Sequence, residues 1–280
     1  MTVALPFLEM ATDAVAEPFV IVRPGLLPGL AGLPVEVREV DPLRPQNATF
    51  CLAMNRANCL AYDGIEPLRP AAEQLGMPRW VFLDCCALPS AIFGVEVARD
   101  HVPAELANLM DPEGECATLP VAEYIALPSL SPGEFVGISL FNLVRGQGFG
   151  RRVKALALAV LGARQQVGVA QFSNVSLRLH LAFGPLRLMQ PSIRVHSRPD
   201  ETFVYRVDVP DRQLLLDVWS GARRAVHVAE HDEQDVEVRL ADIHAGRVDM
   251  SRFLDWSIVD TGTPELSSGI LPSVFLRPPG

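Results

Sequence analysis

The chain is nearly without lysine: it carries twenty-three arginines and one lysine, Lys154, in the stretch RRVKALALAVLGA. Charge of either sign is thin, at 20% of 280 residues, and its balance is acidic at −9. That argues against a nucleic-acid partner, which selects a net basic face. Long hydrophobic runs are missing too. No apolar segment approaches the roughly eighteen residues that a membrane span needs, so no membrane partner is expected. The opening MTVALPFLEMATDAVAEPF has no basic n-region and carries acids early, so it does not read as a signal peptide. The five cysteines show no CxxC spacing, and Cys85 and Cys86 are adjacent. Such usage fits reduced, mostly buried thiols better than a disulfide framework or a zinc cage. A cytoplasmic setting is the expectation.

Hydrophobic residues make up 49% of the chain, enough for one sizeable core, and a single domain over residues 1–280 is expected. Residues 1–50 are proline-rich, broken by PGLLPGLAGLP, and read as an irregular arm with short strands such as FVIV. WVFLD, AIFGVEV, EYIAL and EFVGISLFNLV read as strands, being β-branched, aromatic and bounded by Pro or Gly. Val102 to Met110 reads as a helical turn or two. After GQGFG, a helix is expected from Arg151 to about Ala163. Apolar residues occur on all its sides, so it should be buried. From there the alternation suggests a meander: SLRLHLAF, PLRLMQPSIRVHS, TFVYRVDV, AVHVAEHD and QDVEVRLADI, with PSVFLRP closing the sheet. The expected class is α+β: a β-rich, curved antiparallel sheet or partly closed barrel around a buried central helix, its barrel-like core spanning 120–280.

The strand–loop–helix around the lysine has the order of a dinucleotide-binding turn, but its glycines stand at 146, 148 and 150 and the next required position is Arg151. It therefore fails the GxGxxG spacing. The helix N-terminus with Arg151 and Arg152 can still hold an anion, because free amides and positive charge coincide there. Lys154 shares a helical stripe with Arg151, Leu158 and Leu161. A buried amine near another cation has a depressed pKa and can attack a ketone to form an imine. The alternative is a snorkelling lysine whose stem packs while its tip reaches water or a carboxylate.

The piece LFNLVRGQGFGRRVKALAL, followed by strand-rich sequence, resembles the acetoacetate decarboxylase-like superfamily. The resemblance places Lys154 at the position of the Schiff-base nucleophile and implies a cone-like β-barrel around it. It implies a lyase acting on a keto-acid or related carbonyl compound, with Arg151 or Arg152 depressing the lysine pKa. Glu123 in LPVAEYIAL would orient substrate or relay protons; Glu134 is the other acid at a strand start. Arg178, His180, Arg194 and His196 alternate on one strand face, which would form an anion pocket if it lines a lumen. No cofactor is expected.

Two other classes compete. The first is a non-catalytic β-barrel that binds a small ligand, with Lys154 as counter-ion. The second is a zinc hydrolase through His227, Glu230 and His231, which spell HxxEH; that pattern needs a helix to bring both imidazoles to one metal, whereas Val226 and Val228 alternate as in a strand. Otherwise no metal is expected. The partner is expected to be a small, anionic molecule. Neither its identity nor the oligomeric state follows from the chain, which leaves room for a homo-oligomer.

Overall fold

In the computed structural model the first described strand, Ala16–Ile21, takes in the start of FVIV. Residues 15–62, 88, 91–144, 146–191, 199–264 and 270–280 are described. WVFLD, Trp80, Cys85, Cys86, Arg194 and His196 lie outside them. The chain divides into two compact units.

The first unit takes Met1–Pro128 and Ile138–Gly162. Here β1 (Ala16–Ile21) pairs along its whole length with antiparallel β3 (Ala91–Ala98), while β2 (Arg38–Val40) runs parallel to the end of β1. α1 (Ala48–Tyr62) and α2 (Ala104–Met110) follow β2 and β3. β3 pairs with antiparallel β4 (Thr118–Pro128), and β4 neighbours β5 (Glu134–Asn142). α3 (Phe149–Leu161) packs on β3 and β4. From Val153 to Val160 every residue of α3 is buried, the outcome expected of a helix that is apolar on all sides. It stops at Gly162, whose left-handed conformation lets its amide cap Leu158 O.

One cross-strand row positions the site. Phe19, Gly94 and Glu123 stand directly opposite one another on β1, β3 and β4, so all three face the same way. A Cβ at Gly94 would lie 2.1 Å from Phe19 Cζ; only glycine leaves room for the ring. That ring meets Phe50 of α1 edge-on at 5.0 Å, and α1 is thereby seated over this row.

The second unit takes Ser129–Gly137 and Ala163–Gly280. The start of β5 pairs parallel with β6 (Gln165–Gln171) over three residues, Glu134–Val136 against Gln165–Val167. β6 then pairs antiparallel with β8 (Thr202–Asp208), and β8 with β7 (Leu186–Gln190). The order continues through β10 (Ser257–Thr261) and β11 (Ser273–Arg277) to β9 (Val236–Arg239). Three short helices, α4 (Leu177–Leu181), α5 (Arg212–Ser220) and α6 (Leu240–His244), connect these strands. The core is apolar, with Phe172 stacked on Phe203 at 4.2 Å among Leu181, Leu186 and Leu276.

The fold class expected above is corrected. Strand order runs β2-β1-β3-β4-β5-β6-β8-β7-β10-β11-β9, with β2 and β9 as its two ends; the sheet is open and mixed, neither antiparallel throughout nor a partly closed barrel. A parallel pair cannot be joined by a hairpin and needs a crossover, and the segment between β5 and β6 contains α3. The tail PSVFLRP is β11, which pairs with β9 and β10 and closes nothing.

Two expected strands are absent. SLRLHLAF forms α4 because Asn174 turns the chain, accepting from the Ser176 amide at 2.8 Å while its carbonyl accepts from Leu177 N at 2.9 Å. Leu177 and Leu181 are then both buried at helical i,i+4 spacing. AVHVAEHD is irregular: the Val226 and His227 amides both donate to Ala182 O instead of entering a ladder. Among the described residues no helix is long and apolar enough to cross a membrane.

Candidate functional site

Two features of the first unit combine polar groups with burial. The earlier in chain order of assembly is a carboxyl group. Glu123, on β4, is fully enclosed beneath α1. Its Oε1 accepts from Asn58 Nδ2 on α1 and from Ser139 Oγ on β5, the latter at 2.7 Å. Asn58 Nδ2 also donates to Ser139 Oγ at 3.1 Å. The other oxygen, Oε2, is buried with no hydrogen-bond partner. Loss of water pushes this carboxyl up to about 8, and the bonds from Ser139 and Asn58 pull the other way without cancelling it. A carboxyl that holds its proton near neutral pH can exchange it with a reacting group.

The second feature is the start of α3. Gly146 and Gly148 both have left-handed conformations, at φ 80 and φ 67. They turn the chain so that Gly148 is the N-cap of α3, with no side chain capping it and no acidic residue in the first turn. The Phe149 and Gly150 amides stand ahead of the first intrahelical bonds, whereas those of Arg151 and Arg152 both reach Gly148 O at 3.1 Å. Bare first-turn amides, the positive end of the helix dipole and two guanidinium side chains favour an anion. The turn follows directly on β5, whose end is fixed to β4 by Leu143 N donating to Val121 O at 2.8 Å. Val121 lies two residues from Glu123, about 7 Å along a strand.

The sequence candidates fall differently. Lys154 is fully buried in α3, and burial holds its amine well below the ordinary lysine value. Arg151, half-buried, stands in the first turn of α3 as expected. Arg178 and His180 do not share a face: on α4, residues two apart point in opposed directions, so Arg178 is exposed while His180 is buried, its Nδ1 2.9 Å from Tyr205 Oη. Glu134 is held by Ser129 Oγ at 2.7 Å and by Arg206 at 2.9 Å, an ion pair that ties β5 to β8. His227, Glu230 and His231 lie on irregular chain. His231 stacks on Phe275 at 3.6 Å with its Nδ1 2.8 Å from Asp260, and among the described residues no group of three or more His, Cys, Asp or Glu could hold a metal. Asn58 and Ser139 were missed. The available signal was two asparagines, Asn55 and Asn58, three apart on α1.

No protein-family model and no curated protein matches the chain. Solved structures are similar to it at low identity. The CoA-dependent acyl-homoserine lactone synthase BjaI, solved with SAM and isopentyl-CoA, is 12% identical over 83% of this chain and 99% of its own, with a TM-score of 0.43. The NatC complex bound to Gag peptide and CoA is 12% identical over 61% of this chain and 97% of the matched chain, TM-score 0.40. A GCN5-related N-acetyltransferase from Brucella melitensis is 11% identical over 65% of this chain and 79% of its own, TM-score 0.34.

The expectation of an acetoacetate decarboxylase-like lyase is overturned. The cone-like barrel it required is an open mixed sheet. The Schiff-base role of Lys154 goes with it. The ligand-binding β-barrel falls on the same sheet topology, and the zinc hydrolase on the irregular course of the HxxEH segment.

Proposed function

We propose that the chain is an acyltransferase that moves an acyl group from a CoA-type thioester to a small-molecule nucleophile bearing a transferable proton. The observation that carries the proposal is the start of α3: a two-glycine turn delivering an uncapped helix N-terminus flanked by Arg151 and Arg152. Isopentyl-CoA and CoA, named with the similar structures, carry a diphosphate, and a diphosphate suits such a terminus. The Phe149 and Gly150 amides and the Arg151 side chain would hold it. The bound thioester would supply the activated acyl group.

The rest is done by Glu123. As the nucleophile bonds to the acyl carbon, its proton passes to Glu123 Oε2, directly or through one water, and the carbon–sulfur bond breaks with the electron pair leaving on sulfur. Only the ionised carboxylate can accept that proton. Since the group titrates at about 8, the rate should rise with pH through that value.

The test is to titrate the purified chain with CoA in a calorimeter and to follow thiol release from acyl-CoAs of increasing chain length across a panel of amines and alcohols. Saturable CoA binding and acceptor-dependent thiol release are expected. No heat of binding and no release above hydrolysis would overturn the proposal.

A further inference from the structure

We infer that Asn58 and Ser139 are positioning residues that confine the mobile proton of Glu123 to Oε2, so that this acid exchanges protons through one oxygen only. The argument is a count of hydrogens. An asparagine amide has two N–H groups and a serine hydroxyl one. Asn58 spends one on Glu123 Oε1 and the other on Ser139 Oγ; Ser139 spends its own on Oε1. All the donors of the trio therefore end, directly or in relay, on Oε1, which serves as the carbonyl oxygen. A proton bound there would face donors. It binds at Oε2, the oxygen that has no hydrogen-bond partner among the described residues.

A ligand atom opposite Oε2 must accept a hydrogen bond while Glu123 is neutral and supply a proton when it is ionised. An ammonium has no lone pair for the first task, and a carbonyl has no proton for the second. The acceptor class that fits is a neutral amine, a hydroxyl, or a water standing between. This last step rests on the acyl-transfer proposal; the clamp itself does not.

Other titratable groups stand on the elements packed around the carboxyl. On α1 it is Cys59, whose thiol is pushed up by burial and by the charge of Glu123. On β3 it is Glu96, already bonded to both Arg38 Nε and Nη2 at 2.6 Å and to Thr118 Oγ1 at 2.5 Å. On α3, packed against β3 and β4, Lys154 is kept low by burial.

The experiment is an infrared pH titration of the full chain carrying 13C-glutamate, with the Glu123 carboxyl band identified by its loss in Glu123→Gln. Asn58→Ala and Ser139→Ala should each raise the titration midpoint by about one unit, the worth of one hydrogen bond to a carboxylate, and move the carbonyl band to higher frequency. Ser139→Thr, which keeps the hydroxyl, should restore both. The pH–rate curve for acyl transfer should shift in parallel, with kcat reduced and KM for the thioester unchanged. Midpoints that stay in place in both alanine variants would overturn the clamp, as would a carbonyl band that does not move. If the wild-type chain transfers no acyl group, the functional proposal fails while the infrared titration still decides the clamp.

Discussion

Replacing Glu123 by glutamine should make the protein less stable in mild acid and more stable above neutrality. In the unfolded chain this carboxyl titrates near the ordinary 4.5, and in the folded protein at about 8. Below pH 4.5 both states hold the proton and Glu123 contributes no pH dependence. Between the two values the unfolded chain releases a proton that the folded one retains, so the native state loses about 1.4 kcal/mol for each pH unit. The sign is the reverse of that for an ion-paired acid. By pH 7 the loss is about 3 kcal/mol, and it levels off above pH 8 at about 5 kcal/mol. Glutamine does not titrate. Its carbonyl can replace Oε1 and keep the bonds from Asn58 and Ser139, while its NH2 group puts two partnerless N–H donors where the protonated acid has a single O–H. That mismatch costs about 2 kcal/mol at every pH. The two terms cross about one and a half pH units above the unfolded value, near pH 6. Urea unfolding followed by far-UV circular dichroism at pH 5, 6, 7 and 8 measures the difference. A stability difference that does not change with pH would refute the reasoning, because the same burial raises the carboxyl pKa and produces the slope.

Four further outcomes are expected. Gly94→Ala puts a Cβ 2.1 Å from the Phe19 ring and should cost about 3 kcal/mol in the same unfolding assay, at the upper end for overpacking. Gly168→Ala places a Cβ 2.4 Å from Tyr205 Oη; the phenol must leave Gln166 and His180, and thermal melting should show a loss of about 2 kcal/mol. Arg151→Ala and Arg152→Ala should each weaken CoA and inorganic pyrophosphate binding by about tenfold in calorimetry, the worth of one charge-assisted contact to phosphate. Lys154→Met should retain acyl transfer in the thiol-release assay, whereas Glu123→Gln should abolish it.

The parts of the fold that could be read in advance are those whose signal is local. EFVGISLFNLV and AIFGVEV declare β5 and β3 by β-branched and aromatic content, and the helix after GQGFG declares itself by good formers and a glycine stop. The meander failed where two periods coincide. Leu177, Leu179 and Leu181 satisfy alternation, but Leu177 with Leu181 also satisfies i,i+4 spacing, and a turn at Asn174 chose the helix. Topology failed for a different reason. The parallel pairing of β5 with β6 involves only three residues of each strand, and nothing local distinguishes it from a hairpin. Glu123 was singled out for its place on a strand leading toward the lysine. Its clamp was invisible because Asn58 lies 65 residues away and Ser139 lies 16 away, distances that no motif spacing spans.

Lys154 is the rare residue, but burial does not set it apart, since both Lys154 and Glu123 are fully enclosed. Burial acts on the two in the same physical sense: it disfavours charge, lowering the amine and raising the acid. Each is therefore drawn toward its neutral form, and neutrality does not distinguish a catalytic group from a packed one. Geometry does. The lysine sits in a run, Val153 to Val160, in which every residue of the helix is enclosed; an imine there would need a ketone carbon brought inside a close-packed helix surface. The glutamate has one oxygen held by two donors and a second with none. An enclosed polar atom without a partner costs stability, and a site that accepts protons must leave such an atom without a protein hydrogen bond. The unpartnered oxygen of Glu123, rather than the scarce amine of Lys154, is where the acyl-transfer proposal places the exchange of the proton.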